Sequence, residues 1–279
     1  MNIAYFVPLA GCFLNAFFAV FVFTRNPKAL PNRIYLAIGL FIAEWNLGSY
    51  FMFVVKDAES ALFWSRFLHF GLIVGVVAFF HLMLIIANYS IGRWIRWLYT
   101  AAGLIAITDL TPLFIKGAKN LGESGWYAVA GPLYFTFGLL LTLMFAGTFV
   151  LLRRRRELPR LQGRRLTPLI WSQFTLTLLG VNDVLPIMGI DEYPFTNVRI
   201  FPWGCLAAVF YGIIAAYSVL QYQLLDFRTT LDHVAARLIR FAFLFAIATA
   251  LLISVGAITQ GAVPPKALAI SIAVFCVSS

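Results

Sequence analysis

The sequence predicts an all-α fold, a polytopic membrane helix bundle with a seven-helix core, one complete further span and one incomplete one. Three observations carry that prediction. Hydrophobic residues make up 62% of the 279-residue chain and charged residues only 11%, against about 45–50% and about 25% in soluble globular domains. The apolar residues fall in long blocks and not in short alternating strands, which favours helices over a transmembrane barrel. The charges that remain lie mostly between the blocks, with the basic ones gathered in every second connection. A soluble domain, a disordered chain and a collagen-like repeat are excluded, and the connections leave no room for an extramembrane domain of roughly 100 residues.

A hydrocarbon core about 30 Å thick takes roughly 20 helical residues. The first such block is Ile3–Thr24, closed by Arg25 and Asn26-Pro27. Ile34–Val55 follows Pro31-Asn32-Arg33 and stops before Lys56-Asp57, and Ala61–Asn88 is the third block. Trp97–Ile115 lies between Arg96 and Lys116, and Gly131–Leu152 runs into the four arginines Arg153 to Arg156. Leu166–Ile190 follows Arg164-Arg165, Phe201–Tyr222 follows Arg199, and Phe241–Gln260 follows Arg240. A ninth block begins at Ala267 and stops at Ser279, about seven residues short of a crossing. Residues 1–226 are therefore expected to form the seven-helix region, 227–240 an amphipathic linker along the inner surface, and 241–279 further spans with the last truncated. A chain ending partway through a span is expected to be part of a longer protein.

Orientation follows from the basic residues. One set of connections holds Arg25, Lys28, Arg33, Arg93, Arg96, the seven arginines between Arg153 and Arg165, Arg228, Arg237 and Arg240, 15 in all. The other set holds five, namely Lys56, Lys116, Lys119, Arg199 and Lys266. The positive-inside rule then places the N-terminus outside and the basic connections in the cytoplasm. Trp64, Trp126 and Trp203 fall near the outer ends and Trp94, Trp97 and Trp171 near the inner ends, as interfacial belts require. The net charge of +10 is thus an orientation signal that also favours anionic headgroups. No aromatic platform or groove-reading module accompanies it, so nucleic acid is not an expected partner.

Cys12, Cys205 and Cys276 all lie in apolar blocks and read as small buried hydrophobes. Leu9-Ala10-Gly11-Cys12 resembles a lipoprotein cleavage site, but no basic segment precedes it as a signal peptide would require. No HExxH, phosphate-cradling glycine loop or GxSxG is present, and no cofactor or metal site is expected. The seventh block has no lysine for a retinal Schiff base.

Charged side chains within a span cost about 2.5–3.5 kcal/mol each on insertion scales, so each suggests a function or a partner. They are Glu44 near the midplane, Arg66, His69, Asp109 and Asp183 in the outer half, and His81 in the inner half. Arg66 and His69 share a helical face. Pro112 and Pro186 each follow an aspartate by three residues, where a kink would free backbone carbonyls. The sharp expectation is an outward-facing polar pocket lined by Glu44, Trp45, Asn46, Arg66, His69, Asp109, Asn182 and Asp183. The competing expectation is interhelical struts, such as Arg66 with Asp183 or Asp109. His81 reads as a hydrogen-bonded core histidine, and Gly71 with Gly75 as a close-packing GxxxG.

Several segments together resemble a known family. They are Asn26-Pro27 with Pro31-Asn32, Trp45-Asn-Leu-Gly48, Phe63-Trp-Ser-Arg66, the arginine run, Asn182-Asp-Val-Leu-Pro186 and Ala215-Ala-Tyr-Ser-Val-Leu-Gln-Tyr-Gln-Leu-Leu-Asp226. From about Pro8 to Asp226 the chain resembles the N-terminal seven-transmembrane sensor region of bacterial histidine kinases, also found ahead of diguanylate cyclases. The resemblance implies a non-catalytic input region in the bacterial inner membrane that detects an extracytoplasmic or intramembrane signal. It transfers no site residue. The expected partners are the lipid bilayer and an unidentified small ligand or membrane signal, with a homodimer left open. His233, followed by Val234-Ala235-Ala236, does not read as a phosphoacceptor and is taken as a linker histidine. The rival reading is a proton- or ion-coupled transporter using Glu44, Asp109 and Asp183, although no repeated halves are visible. A structural membrane subunit would need only the struts.

Overall fold

The computed structural model describes residues 6–122, 125–193, 195 and 198–224. Seven helices run through them: α1 Phe6–Arg25, α2 Leu30–Val54, α3 Ala58–Ile86, α4 Trp94–Asp109, α5 Phe135–Glu157, α6 Arg160–Ile187 and α7 Gly204–Leu224. By length and composition α1, α2, α3 and α5 are long and apolar enough to cross a membrane, and α7 carries a shorter apolar stretch, Gly204–Val219. The linker, the eighth and ninth blocks and His233 lie outside the described residues.

Helix contacts close a ring in the order α1, α2, α3, α5, α6, α7 and back to α1, with α4 packed on the flank of α3. Helix α3 is the hub, since 72% of its apolar window is buried inside the protein against 33% for α1 and α5. Without a hydrophobic drive between helices in lipid, small residues and close backbones supply the packing. Gly71 and Gly75 of α3 receive Glu44 and Phe41 of α2, as the GxxxG spacing predicts. Gly39 of α2 lies against Ala19 and the Asn15 carbonyl of α1. The Tyr35 hydroxyl of α2 donates to the Gly212 carbonyl of α7 at 2.6 Å, tying α2 across to the last helix.

Three features depart from the sequence-based expectation. The connection before α5, expected to be a loop in an all-α chain, holds an antiparallel hairpin of β1 Ile115–Asn120 and β2 Trp126–Ala130. Gly122 and Gly125 take positive φ of +69° and +78° in its turn, a conformation that glycine adopts without steric cost. The fourth helix ends at Asp109 instead of continuing to Ile115, so Pro112 sits in the following turn and kinks nothing. The arginine run is helical and not a loop: Arg154, Arg155 and Arg156 form the last turn of α5, and only Leu158-Pro159 separates it from α6. Cations there complement the C-terminal helix dipole, and Glu157 pairs with Arg153 and Arg154 at 3.2 and 3.4 Å.

Asp57 caps α3 by accepting from the Ser60 N–H at 2.8 Å. Hydrogen bonds from the Ser60 backbone and then its hydroxyl hold the Asp57 carboxyl below the usual carboxylate range. A depressed carboxylate contributes stability above its unfolded value and loses it as pH falls through the folded one. Amide exchange in the first turn of α3, corrected for intrinsic rates, should therefore rise on acidification, and Asp57→Asn should remove that dependence. A Cβ at Gly39 would lie 3.1 Å from the Asn15 carbonyl oxygen, so Gly39→Val should cost about 1–3 kcal/mol through overpacking, read in a denaturation titration.

Candidate functional site

The end of the ring opposite the arginine run is roofed by two loops. Hairpin β1–β2 is tied to α2 by the Trp126 indole N–H, which donates to the Val55 carbonyl at 3.0 Å. The α6–α7 connection folds back through a bridge between Glu192 and Arg199. Lys119 of β1 pairs with Asp191 of that connection at 2.5 Å, and Arg199 donates to the Leu121 carbonyl at 3.2 Å. These contacts join the two roof segments across the mouth of the bundle.

Beneath the roof lies a cavity of about 110 Å³, walled by α1, α2, α3, α6, α7 and β2. A second, of about 80 Å³, lies among α2, α3, α5 and α6. Trp45, Leu68, His69, Asp183 and Ile187 line both, so they form the partition between the two spaces.

The partition residues are held by directed bonds. His69 is 2% exposed. Its Nδ1 lies 2.7 Å from the Ser65 carbonyl and its Nε2 3.1 Å from the Tyr134 hydroxyl. A carbonyl only accepts, so Nδ1 carries the proton and Nε2 accepts from Tyr134. Asp183 Oδ2 accepts from the Gly204 N–H at 2.9 Å and Oδ1 from the Asn182 amide at 3.1 Å. Gly204 opens α7, so a carboxylate from α6 caps the neighbouring helix and meets its positive dipole end. Asn182 donates to the Phe201 carbonyl at 2.9 Å and accepts from the Tyr193 hydroxyl at 2.8 Å, which pins the connection carrying Phe201 and Trp203.

The eight residues expected to share one pocket divide into separate places. Trp45, His69 and Asp183 meet at the partition, with Asn182 bonded behind them. Glu44 rests on Gly71 at the α2–α3 contact. Asn46 donates to the Ile42 carbonyl at 2.8 Å and presses its side-chain oxygen towards Gly11 of α1. Arg66 donates to the Ile115 carbonyl at 3.1 Å, anchoring β1. Asp109, fully buried at the end of α4, has neither oxygen hydrogen-bonded among the described residues and feels Arg66 only electrostatically. Glu44, Asn46, Arg66 and Asp109 are not among the walls of either cavity. Among the described residues, neither Arg66–Asp183 nor Arg66–Asp109 forms an ion pair, so the expected struts are replaced by a helix cap and a strand anchor. His81 pairs with the Tyr99 hydroxyl of α4 at 3.2 Å, hydrogen-bonded as expected but half-buried and not in the core.

Sequence reasoning missed Ser49, Ser65, Trp126, Tyr127, Trp203 and Cys205, all on the cavity beneath the roof. Two of their hydroxyls, of Ser65 and Tyr127, are buried without a hydrogen-bond partner among the described residues. Burial, with the nearby Asp183 charge second, pushes the Tyr127 hydroxyl well above the ordinary tyrosine range, so it keeps its proton. The sequence signal for the hairpin is one-sided: β2, Trp126-Tyr-Ala-Val-Ala130, is rich in strand formers, whereas β1, Ile115-Lys-Gly-Ala-Lys-Asn120, is not.

Comparison with known proteins gives this roofed helical bundle a family. Residues 7–228 match the family described as the N-terminal 7TM region of histidine kinase, and the chain belongs to that family. The matched region is a membrane-embedded sensory input region of a two-component type, without a catalytic role of its own. No match to the chain is found among curated proteins or among solved structures.

Removing the α7 cap should weaken the bundle in steps. Asp183→Ala loses both charge and acceptor and should cost about 1–2 kcal/mol, with Asp183→Asn costing less because it keeps an acceptor. Denaturant titration of both variants checks the order.

Proposed function

We propose that the chain is the seven-span input region of a histidine-kinase-type signalling protein, set in the bacterial inner membrane with its N-terminus outside. The signal is received in the outer cavity. Seven helices of the family region all serve as spans in this reading, with α4, α6 and α7 buried by their neighbours along part of their length. The basic ends at Arg25, Arg93 and Arg153–Arg156 support the orientation.

One observation carries the reading. The cavity takes its walls from α1, α2, α3, α6, α7 and the roof hairpin at once. An occupant that fits one arrangement of those elements better than another biases their relative positions, by no more than its difference in affinity for the two. Helix α7 is the last described helix of the family region, and its N-terminus is held by Asp183 in the cavity wall. A shift at the cavity therefore reaches α7 directly.

The test uses the chain with its native cysteines replaced by serine. Single cysteines at Lys28, Glu157 and Lys116 report orientation in intact cells through an impermeant maleimide. Labelling is expected only at position 116, and labelling at 28 or 157 instead would refute the orientation. Spin labels at 28 and 157 in vesicles report the inner helix ends. Ser49→Phe, which fills the cavity, should shift their distance distribution. An unmoved distribution, together with proton or solute flux through the vesicles, would replace the sensor with a transporter.

A further inference from the structure

Size and chemistry of the outer cavity narrow what it can hold. Its volume of about 110 Å³ is somewhat below that of an engineered apolar cavity of about 150 Å³ that takes benzene, so the occupant has the bulk of about one small ring. The walls are mostly apolar, with Trp45, Trp126, Trp203 and Phe201 among them, and among the described residues no lysine or arginine lines them. An anion would find no counter-charge there. Asp183 is the one carboxylate in the lining among the described residues, and both its oxygens are engaged by Gly204 and Asn182. His69 has both ring nitrogens engaged as well.

Two buried hydroxyls in the lining are left over. Ser65, 0% exposed on α3, and Tyr127, 7% exposed on β2, each carry a buried hydroxyl with no hydrogen-bond partner among the described residues. Buried hydroxyls are nearly always satisfied, because leaving one unmet is costly. These two come from different elements of the wall, one from the bundle and one from its roof.

We propose that the outer cavity binds a small uncharged molecule with a ring-sized apolar body and one hydroxyl-like group, which the Ser65 and Tyr127 hydroxyls hold between them. A ligand hydroxyl donates to one of the pair and accepts from the other, while the aromatic walls take the apolar body. The same contact joins α3 to the roof hairpin. This deepens the reading of the cavity as the input site and rests on it for its functional meaning.

The experiment titrates the chain in lipid nanodiscs with phenol, benzene, tetramethylammonium and benzoate, followed by saturation-transfer NMR. Wild-type chain is compared with Ser65→Ala, Tyr127→Phe and Ser49→Phe. Phenol should bind more tightly than benzene, and each hydroxyl deletion should weaken phenol about fivefold, the worth of one hydrogen bond. Benzene affinity should stay within about twofold, and the thermal midpoint should not fall, since no protein hydrogen bond is lost. Ser49→Phe should abolish both. If that variant misfolds, the two hydroxyl deletions still decide. Unchanged phenol binding in both deletions, tighter binding of tetramethylammonium or benzoate, or a lowered thermal midpoint in the deletions would each overturn the proposal. Phenol bound as expected with no movement of the 28–157 spin-label distance would keep the binding site and remove the input role. Movement on Ser49→Phe without phenol binding would do the reverse.

Discussion

The first N–H groups of a helix have no intrahelical acceptor, and within a bilayer no water can supply one. Helix α7 starts at Gly204 inside the protein, so its opening must be met by another element. Asp183 of α6 meets it, and much of the roofed end of the fold is arranged around that contact. The carboxylate needs a close approach, which Gly204 permits, since a side chain there would run into Asp183 and the Trp45 ring. Asn182 fixes the same turn from the other side through Phe201 and Tyr193. A cavity with Asp183 and Trp45 in its wall is a consequence of ending α6 and beginning α7 at that depth.

Close approach recurs wherever the helices meet. Gly39, Gly71 and Gly212 each take a side chain or backbone of the neighbouring helix into the space a Cβ would fill. In return, buried amides such as Asn15 and Asn46 bond their own helix at Gly11 and Ile42 and leave the side-chain oxygen on a neighbouring glycine. These polar residues therefore act mostly within helix contacts. Much of the intramembrane polarity is used to assemble the bundle, and the part that faces open space is small.

Intramembrane charge was legible, but its use was not. Glu44, Arg66, His69, Asp109 and Asp183 stand out against apolar neighbours, and depth estimates put four of them in the outer half. Depth does not specify rotation about the helix axis. Arg66 turns towards β1, His69 three residues on turns towards Tyr134 and the cavity, and Glu44 turns to Gly71. The orphaned hydroxyls of Ser65 and Tyr127 were invisible for a different reason: a serine in a helix and a tyrosine in a short connection are common, and only their lack of a partner is unusual.

By itself the sequence determined that the chain is a membrane helix bundle of this sensor family. Block length, charge placement and the Ala215–Asp226 stretch are one-dimensional properties set by the thickness and polarity of the bilayer. Only the tertiary structure decided that the connection after α4 folds into a roof, that Asp183 caps a helix without pairing with Arg66, and which polar groups remain unmet around the cavity. Those outcomes depend on which faces of separate helices meet, and the identity of the blocks alone does not encode that.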